Sequence, residues 1–505
     1  MNSTRSRRMR NATKHEVYIK RFVELMVCAF CLAVTVPGAH SQAKSATPAR
    51  DETVAALLVS DIHFDPFLDP ARVAQLAAAP ATEWGRILSA APSADREARH
   101  AAMEKACPTR GEDTAYTLLE SSLQDMRKEA TGSKFVTVSG DLLAHSFDCK
   151  YKAAFPHAAP GDYRAFVEKT LTFVVEELRR ALPGTPVYVA LGNNDSDCGD
   201  YRLDAHSEFL TSMAQEITKD VPVGERKTAE ETFAASGSYS VRLPAPIHRA
   251  RLLVLDDIFM SGKYATCGVK PDTSVAGAQL AWLDKELTDA RNSREKVWVM
   301  AHIPPGVDVY SSAKHLDEVC SGKGPRMFLA SEKLAEVVAR FSDVIQLAVF
   351  AHTHMDEVRV LKSEGTGPGA APEQGVAVKL VSSISPINGN APSFTVARVD
   401  TASAMLKDYR VFSASNATGV GATWHEEYDW AKTFHEAEFS PYGVGKEVAG
   451  FTADPSGDKQ ESRDYVQNFY VGSSSLLGLI WPQYGCSMAN DSAQAFRACV
   501  CPTTK

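Results

Sequence analysis

Val54-Ala55-Ala56-Leu57-Leu58-Val59-Ser60-Asp61-Ile62-His63 is an apolar run that ends abruptly in an aspartate and a histidine. A short unbroken apolar run reads as a strand buried on both faces, the kind found in parallel sheets. The same arrangement recurs along the chain. Phe135 to Ser139 leads into Gly140-Asp141, with His145 just beyond, and Pro186 to Leu191 leads into Gly192-Asn193-Asn194-Asp195. Val297 to Ala301 delivers His302, and Val344 to Phe350 delivers His352-Thr353-His354. Side chains at the C-terminal ends of successive parallel strands converge on one crevice, where α/β sheets place their chemistry.

The segments between these strands read as helices. Helical spacing of apolar residues predicts helices around Ala94–Lys105, from a cap at Asp113 through Ala130, over Tyr163–Leu182 and over Arg326–Phe341. Leu252–Leu255 is another strand, and Val376–Val399 supplies two or three more. Strands alternating with helices define an α/β fold. Ser363–Gly375, rich in Gly and Pro, reads as a surface loop or hairpin, and residues 66–113, 224–237 and 307–325 read as loops that set specificity. Beyond about residue 415, Trp424, Tyr428, Trp430, Phe434 and Phe439 mark an aromatic, helix-leaning tail. The expected organisation is a leader over 1–41, a linker over 42–53, a catalytic domain over 54–412 and a helical, disulfide-containing region over 413–505.

Charge and cysteine usage point to export. The leader carries seven basic residues (Arg5 to Arg21) and two acidic ones, then an uncharged run from Leu25 to Val36 and a small-residue cleavage site at Pro37–Ser41. This is the layout of a secretory signal peptide, the apolar run being short for a membrane span. An uncleaved anchor is the alternative. The whole chain has a net charge of −8, and its remainder without the leader −13. An acidic protein lacks the Lys/Arg excess that sequence-independent nucleic-acid binding needs. Eight cysteines lie beyond the leader, and an even number in an exported protein predicts disulfides. Cys486 with Cys499 or Cys501 would staple the C-terminus, and Cys267 with Cys320 would brace a long loop. The expected location is secreted or otherwise extracytoplasmic.

The chemistry follows from the donor types. Asp61 and His63 alternate along an extended chain, fall on one side of it and can grip one ion together. Asp141 has two carboxylate oxygens and can bridge two ions. Asn193 offers an amide oxygen, and His302, His352 and His354 offer imidazoles. Mixed nitrogen and oxygen ligation suits two divalent ions of zinc, with iron or manganese as alternatives, rather than a magnesium or calcium cage. Such a pair clamps the attacking and leaving oxygens of a displacement at phosphorus and lowers the pKa of a bound water.

These residues resemble the calcineurin-like dinuclear metallophosphoesterases over roughly residues 54–410. Ser60–Pro66, Gly140–His145, His302–Gly306 and His352–Glu357 are similar to the acid sphingomyelinase-like phosphodiesterase branch. The resemblance implies a four-layer sandwich, two mixed β-sheets flanked by helices, with a helical C-terminal appendage. It implies that Asp61, His63, Asp141 and His354 hold one metal, and that Asp141, Asn193, His302 and His352 hold the other. It further implies hydroxide held by the metals as nucleophile on a small-molecule or lipid phosphoester. Two residues depart from the pattern. Asn194 stands where the family carries His; an amide orients phosphate but cannot act as general acid. His145, matching the branch's second His, therefore takes leaving-group protonation alone, and Asp195 orients its neighbours. Ala351 replaces the usual Gly and is small enough to pack. Gly-Asn-Asn-Asp with a His four residues past Asp141 also resembles the endopolyphosphatase branch, which would cleave phosphoanhydrides and want a basic groove from Lys150, Lys152, Arg164, Lys263, Lys270, Lys314 and Lys323. A third possibility is a non-catalytic protein that keeps metals for stability.

Overall fold

Each apolar run quoted above lies in a sheet, and the sheets meet at the ends that carry the polar motifs. The computed structural model describes residues 52–362, 375–472 and 475–501. The expected leader, most of the linker and all but the last residue of the Ser363–Gly375 loop lie outside them. The first sheet runs β12 (Trp424–Asp429), β11 (Leu406–Ala414), β10 (Ser393–Asp400), β1 (Thr53–Val59), β2 (Val136–Val138), β3 (Val187–Val189). The second runs β4 (Tyr239–Arg242), β5 (Ala250–Val254), β6 (Lys296–Met300), β7 (Ile345–Phe350), β9 (Gly375–Leu380), β8 (Glu357–Lys362). Both are mixed. β1, β2 and β3 are parallel neighbours, as are β5, β6 and β7, while β10–β12 and the edges β4 and β8 are antiparallel.

The two-residue period of the strands sorts their side chains into layers. Leu252, Val254, Trp298, Met300, Leu347 and Val349 share a core with Leu57, Val59, Val136 and Val138 of the first sheet. Their neighbours Leu253, Val297, Val299, Ala348 and Phe350 turn outward, onto Leu283 and Leu287 of the helix Ser274–Ser293 and Leu334 and Val338 of Lys333–Arg340. On the other flank, Leu118, Leu119 and Met126 of Tyr116–Glu129, with Leu171, Val174 and Leu178 of Pro160–Ala181, cover the first sheet. This is the α/β four-layer sandwich.

Several expectations change. Residues 224–237 are not a loop: Val223–Ser236 is a helix, closed by Gly237 at φ +69°. The helix expected over Arg326–Phe341 begins only at Lys333, because the earlier residues bond elsewhere, Phe328 N–H to Gly306 and Ala330 N–H to Met260. Trp424–Asp429 is a strand, not helix; its residues pair with β11, and the exposed His425 and Glu426 keep this edge charged. The boundary expected at 412/413 therefore falls inside β11, and helices resume at Trp430–Phe434. Asp113 does not cap the helix that follows it; its carboxylate is taken by His145.

The C-terminal helices belong to the same compact unit as the sheets, which spans Asp51–Lys505. They are tied to the residues just after His354. Asp356 accepts from Lys379 Nζ (2.7 Å) and Tyr428 Oη (2.8 Å), its N–H donates to Phe469 O (3.0 Å), and Glu357 pairs with Arg359 (2.9 Å) and accepts from Tyr484 Oη (3.2 Å). All four charged groups are buried, where an ion pair needs such extra hydrogen bonds to offset desolvation. Cysteine pairing is Cys107–Cys149, Cys198–Cys267, Cys320–Cys501 and Cys486–Cys499. The C-terminal staple is as expected, but Cys267 does not join Cys320. It closes on Cys198, whose loop is bridged to its own at Arg202 and Ala265.

Candidate metal centre

The seven expected ligands come together where the parallel strands of both sheets end. Five of them, Asp61, His63, Asp141, His352 and His354, have φ between +43° and +72°. Left-handed backbone is uncommon for residues other than glycine, persists only where surroundings enforce it, and clusters at functional sites. Asp61 and His63 thus converge by left-handed turns rather than by alternation in an extended chain. Their turn is held by Asp61 N–H to Gly140 O (3.0 Å), His63 N–H to Asp141 O (2.9 Å) and Phe64 N–H to Leu142 O (2.8 Å). The glycines are space-driven: a Cβ on Gly192 would lie 2.2 Å from Asp141 Oδ1, and one on Gly140 would lie 2.8 Å from His302 Nδ1.

Two groups of donor atoms result, with one oxygen in common. His63 Nε2 lies 3.2 Å from His354 Nε2, 3.8 Å from Asp61 Oδ1 and 3.4 Å from Asp141 Oδ2. His302 Nε2 lies 3.2 Å from each of His352 Nδ1, Asn193 Oδ1 and Asp141 Oδ2. Imidazole nitrogens and carboxylate and amide oxygens gathered this closely around one carboxylate oxygen make two donor sets suited to cations. Asp61 Oδ1 and His354 Nδ1 are buried without any hydrogen-bond partner. The other nitrogens of two rings are anchored on backbone carbonyls, His63 Nδ1 on Leu143 O and His302 Nδ1 on Ser139 O, both at 2.8 Å. Such anchoring fixes the tautomer that leaves Nε2 free to bind a metal. The chain thus fits two divalent ions by its donors, its unpartnered atoms and its outer contacts.

Electrostatics agree. Burial depresses His63 and His302, but the Asp141 carboxylate overrides it and carries them to about 9 and about 10. Burial pulls His352 down to about 3, aided by the charge of His302, and pulls His354 well below its usual value, aided by His63.

His145 stands beside this cluster, its ring stacked on His63 at 4.1 Å. Asp113, buried, accepts from its backbone N–H (2.8 Å) and lies 3.1 Å from its Nδ1. Its side chain is 33% exposed and lines a cavity of about 540 Å³ with Asp141, Asn193, His352, His354, Tyr201 and Lys263. Asp195 accepts from Leu142 and Leu143 N–H (2.8 and 2.9 Å) and from Gly192 N–H (2.9 Å), locking the two glycine turns together. Asn194 is turned onto Asp141: its N–H donates to Oδ1 (2.8 Å) and its amide to Oδ2 (2.9 Å). Sequence reading missed three partners: Asp113, Asp200, which receives the Asn193 amide at 2.7 Å, and Tyr201, whose Oη is 3.2 Å from His352 Nε2. The two aspartates and the tyrosine lie outside apolar runs, and only Gly199-Asp200-Tyr201, following the quoted Gly-Asn-Asn-Asp motif, offered a signal.

The basic groove that the endopolyphosphatase alternative would want is formed only in part. Lys150 is buried against Asp65 (2.6 Å), Lys152 pairs with Asp148 and Arg164 with Glu208. Lys263 and Lys314 do line the cavity and its neighbour of about 790 Å³, with Arg110.

Comparison with known proteins places this geometry. The family model described as calcineurin-like phosphoesterase matches residues 56–356. Human acid sphingomyelinase-like phosphodiesterase 3b is 25% identical over 77% of this chain and 80% of its own. Rat cyclic GMP-AMP phosphodiesterase SMPDL3A is 23% identical over 72% of this chain and 75% of its own. A solved structure of PhoD aligns with a TM-score of 0.40 at 10% identity, covering 75% of this chain and 69% of that one.

Proposed function

Given that the chain belongs to the calcineurin-like phosphoesterase family, we propose that this metal-dependent phosphoric ester hydrolase is an exported phosphodiesterase of the acid sphingomyelinase-like type. The observation that carries the reading is the sharing of Asp141 Oδ2 between two imidazole clusters, with His145 at the cavity beside them. In this reading Asp61, His63, Asp141 and His354 hold one cation, and Asp141, Asn193, His302 and His352 hold the other. Two bound divalent ions, zinc in our assignment, supply Lewis acidity and a water acidic enough to ionise near neutrality.

The chain's own residues do the rest. Asp113 holds His145 at Nδ1, which leaves Nε2 to hand its proton to the departing oxygen. Asn194 supplies an amide donor at the Asp141 carboxylate but no acid proton, and Asp195 keeps both glycine turns in register. Four disulfides fit an oxidising, extracytoplasmic compartment. No helix among the described residues is long and apolar enough to cross a membrane.

A second reading, cleavage of phosphoanhydrides in polyphosphate, draws on Arg110, Lys263 and Lys314 along the two adjoining cavities. A panel assay of the metal-loaded protein separates them, using bis-p-nitrophenyl phosphate, p-nitrophenyl phosphate, sphingomyelin, ATP and polyphosphate. Turnover of a phosphodiester supports the proposal. Turnover of polyphosphate alone transfers support to the second reading, and no turnover at all favours a non-catalytic metal protein.

A further inference from the structure

Tyr201 occupies a place the hydrolytic reading leaves unexplained. It follows the Gly-Asn-Asn-Asp turn by six residues, has φ +57°, and its ring lines the cavity beside Asp141, Asn193 and His145. Its backbone is fixed on three sides. Its N–H donates to Asn193 O (2.9 Å), its carbonyl accepts from Ala265 N–H (3.0 Å), and the Cys198–Cys267 disulfide joins the two loops beside it. A bulky side chain in the left-handed region is an outlier that surroundings must enforce, and such outliers gather where a side chain is aimed for use.

The hydrogen bonds around the phenol point to that use. His352 Nδ1 faces His302 Nε2 (3.2 Å) within the proposed metal donor group; with Nδ1 assigned to the cation, the ring proton falls on Nε2, which then donates to Tyr201 Oη at 3.2 Å. Lys263 Nζ donates to the same oxygen (3.3 Å) and lies 4.6 Å from the ring centroid. Both neighbours are donors, and a phenol has a single hydrogen. That hydrogen therefore has no acceptor on either neighbour and is left to the cavity.

We propose that Tyr201 is a catalytic residue that donates its phenolic O–H to a phosphoryl oxygen of the bound ester, with Lys263 a positioning residue that holds the phenol and adds positive charge to it. This rests on the phosphoester reading above. It assigns the loop after Gly-Asn-Asn-Asp to phosphoryl recognition, beside Asn194, whose backbone N–H and one of whose two amide hydrogens are held by Asp141.

The test is calorimetric binding of inorganic phosphate to metal-loaded wild type, Tyr201→Phe and Lys263→Met, with metal content and bis-p-nitrophenyl phosphate kinetics on the same samples. Tyr201→Phe keeps the ring and removes only the hydroxyl. Saturated with metal at two ions per chain, it should bind phosphate about tenfold more weakly and lose roughly 10²-fold in kcat, the scale seen when one preorganised donor is removed. Lys263→Met should show a smaller loss in both. If Tyr201 only braces His352, the phenylalanine variant will need more metal for saturation yet match wild type in phosphate affinity once saturated, which overturns the proposal. Wild-type protein that binds no phosphate also overturns it. Wild-type protein that binds phosphate but hydrolyses no ester sinks the phosphodiesterase reading instead, and the wild-type to Tyr201→Phe affinity ratio still decides the role of Tyr201.

Discussion

The two halves of the centre are built to different standards. Around His302, every proposed ligand has its outer atom engaged: His302 on Ser139 O, His352 on Tyr201 Oη and the Asn193 amide on Asp200. Around His63, His63 is anchored on Leu143 O and the outer oxygen of Asp61, Oδ2, accepts from His352 N–H (3.3 Å), but the outer nitrogen of His354, Nδ1, has no hydrogen-bond partner. Outer contacts fix ring orientation and raise metal affinity. The half around His302 is anchored at every ring, whereas the half around His63 leaves one ring, His354, without an outer contact. The half with the unanchored ring is also the one on which His145 stacks. In the proposed reading, His145 would donate its proton beside the half with the unanchored ring, and Tyr201 would meet the ester beside the fully anchored one.

The largest effect tests what the halves share. Asp141→Asn should abolish turnover and release both ions, read by metal analysis; loss of a single ion would mean that the halves are independent. His145→Ala should slow turnover by roughly 10²–10⁴-fold, the span of a general acid, with metal content intact. Its deficit should be greater for esters with poor leaving groups, and an equal deficit for good and poor ones would remove His145 from that role. Asp113→Asn should cost less than His145→Ala and vanish as an effect in the His145→Ala background. Burial opposes ionisation of Asp113, but the hydrogen bond and charge of His145 hold its carboxyl below the usual range. A carboxylate with a depressed folded pKa keeps its contribution above the unfolded value and loses it only as pH falls through the folded one. The anchor should therefore persist at pH 5, visible by NMR as an Asp113 carboxyl carbon that keeps the shift of an ionised carboxylate at that pH; a protonated carboxyl there would contradict it. The smallest effect separates the halves directly. Graded chelation should remove one ion before the other, and Asp200→Ala should weaken the firmer site by about 10–100-fold, bringing the two release steps together. Simultaneous release in the wild type would erase the contrast.

The same contrast explains what could be read from sequence. Asp61, His63, Asp141, Asn193, His302, His352 and His354 were legible because each closes an apolar strand, and strand ends in parallel sheets converge by topology. Asp113, Asp200 and Tyr201 were not, because their roles depend on loop paths. Asp113 sits before a helix and resembled its cap, and Tyr201 reaches His352 across 151 positions of sequence. The left-handed backbone of Asp61 and His63 was hidden too, since nothing in an apolar run announces a reversal of φ at its end. Cysteine pairing failed for the same reason. Cys267 is nearer in sequence to Cys320 than to Cys198, but backbone bridging between the 202 and 265 loops brings it to Cys198. The α/β class followed from alternating elements, whereas β12 was misread because its aromatic residues resembled an apolar helical face.

Metal content of the purified protein decides the central claim. Elemental analysis should find two transition-metal ions per wild-type chain and none in Asp141→Asn, with hydrolysis lost on chelation and regained on adding zinc. Full hydrolytic activity in wild-type protein stripped of all transition metal would contradict it.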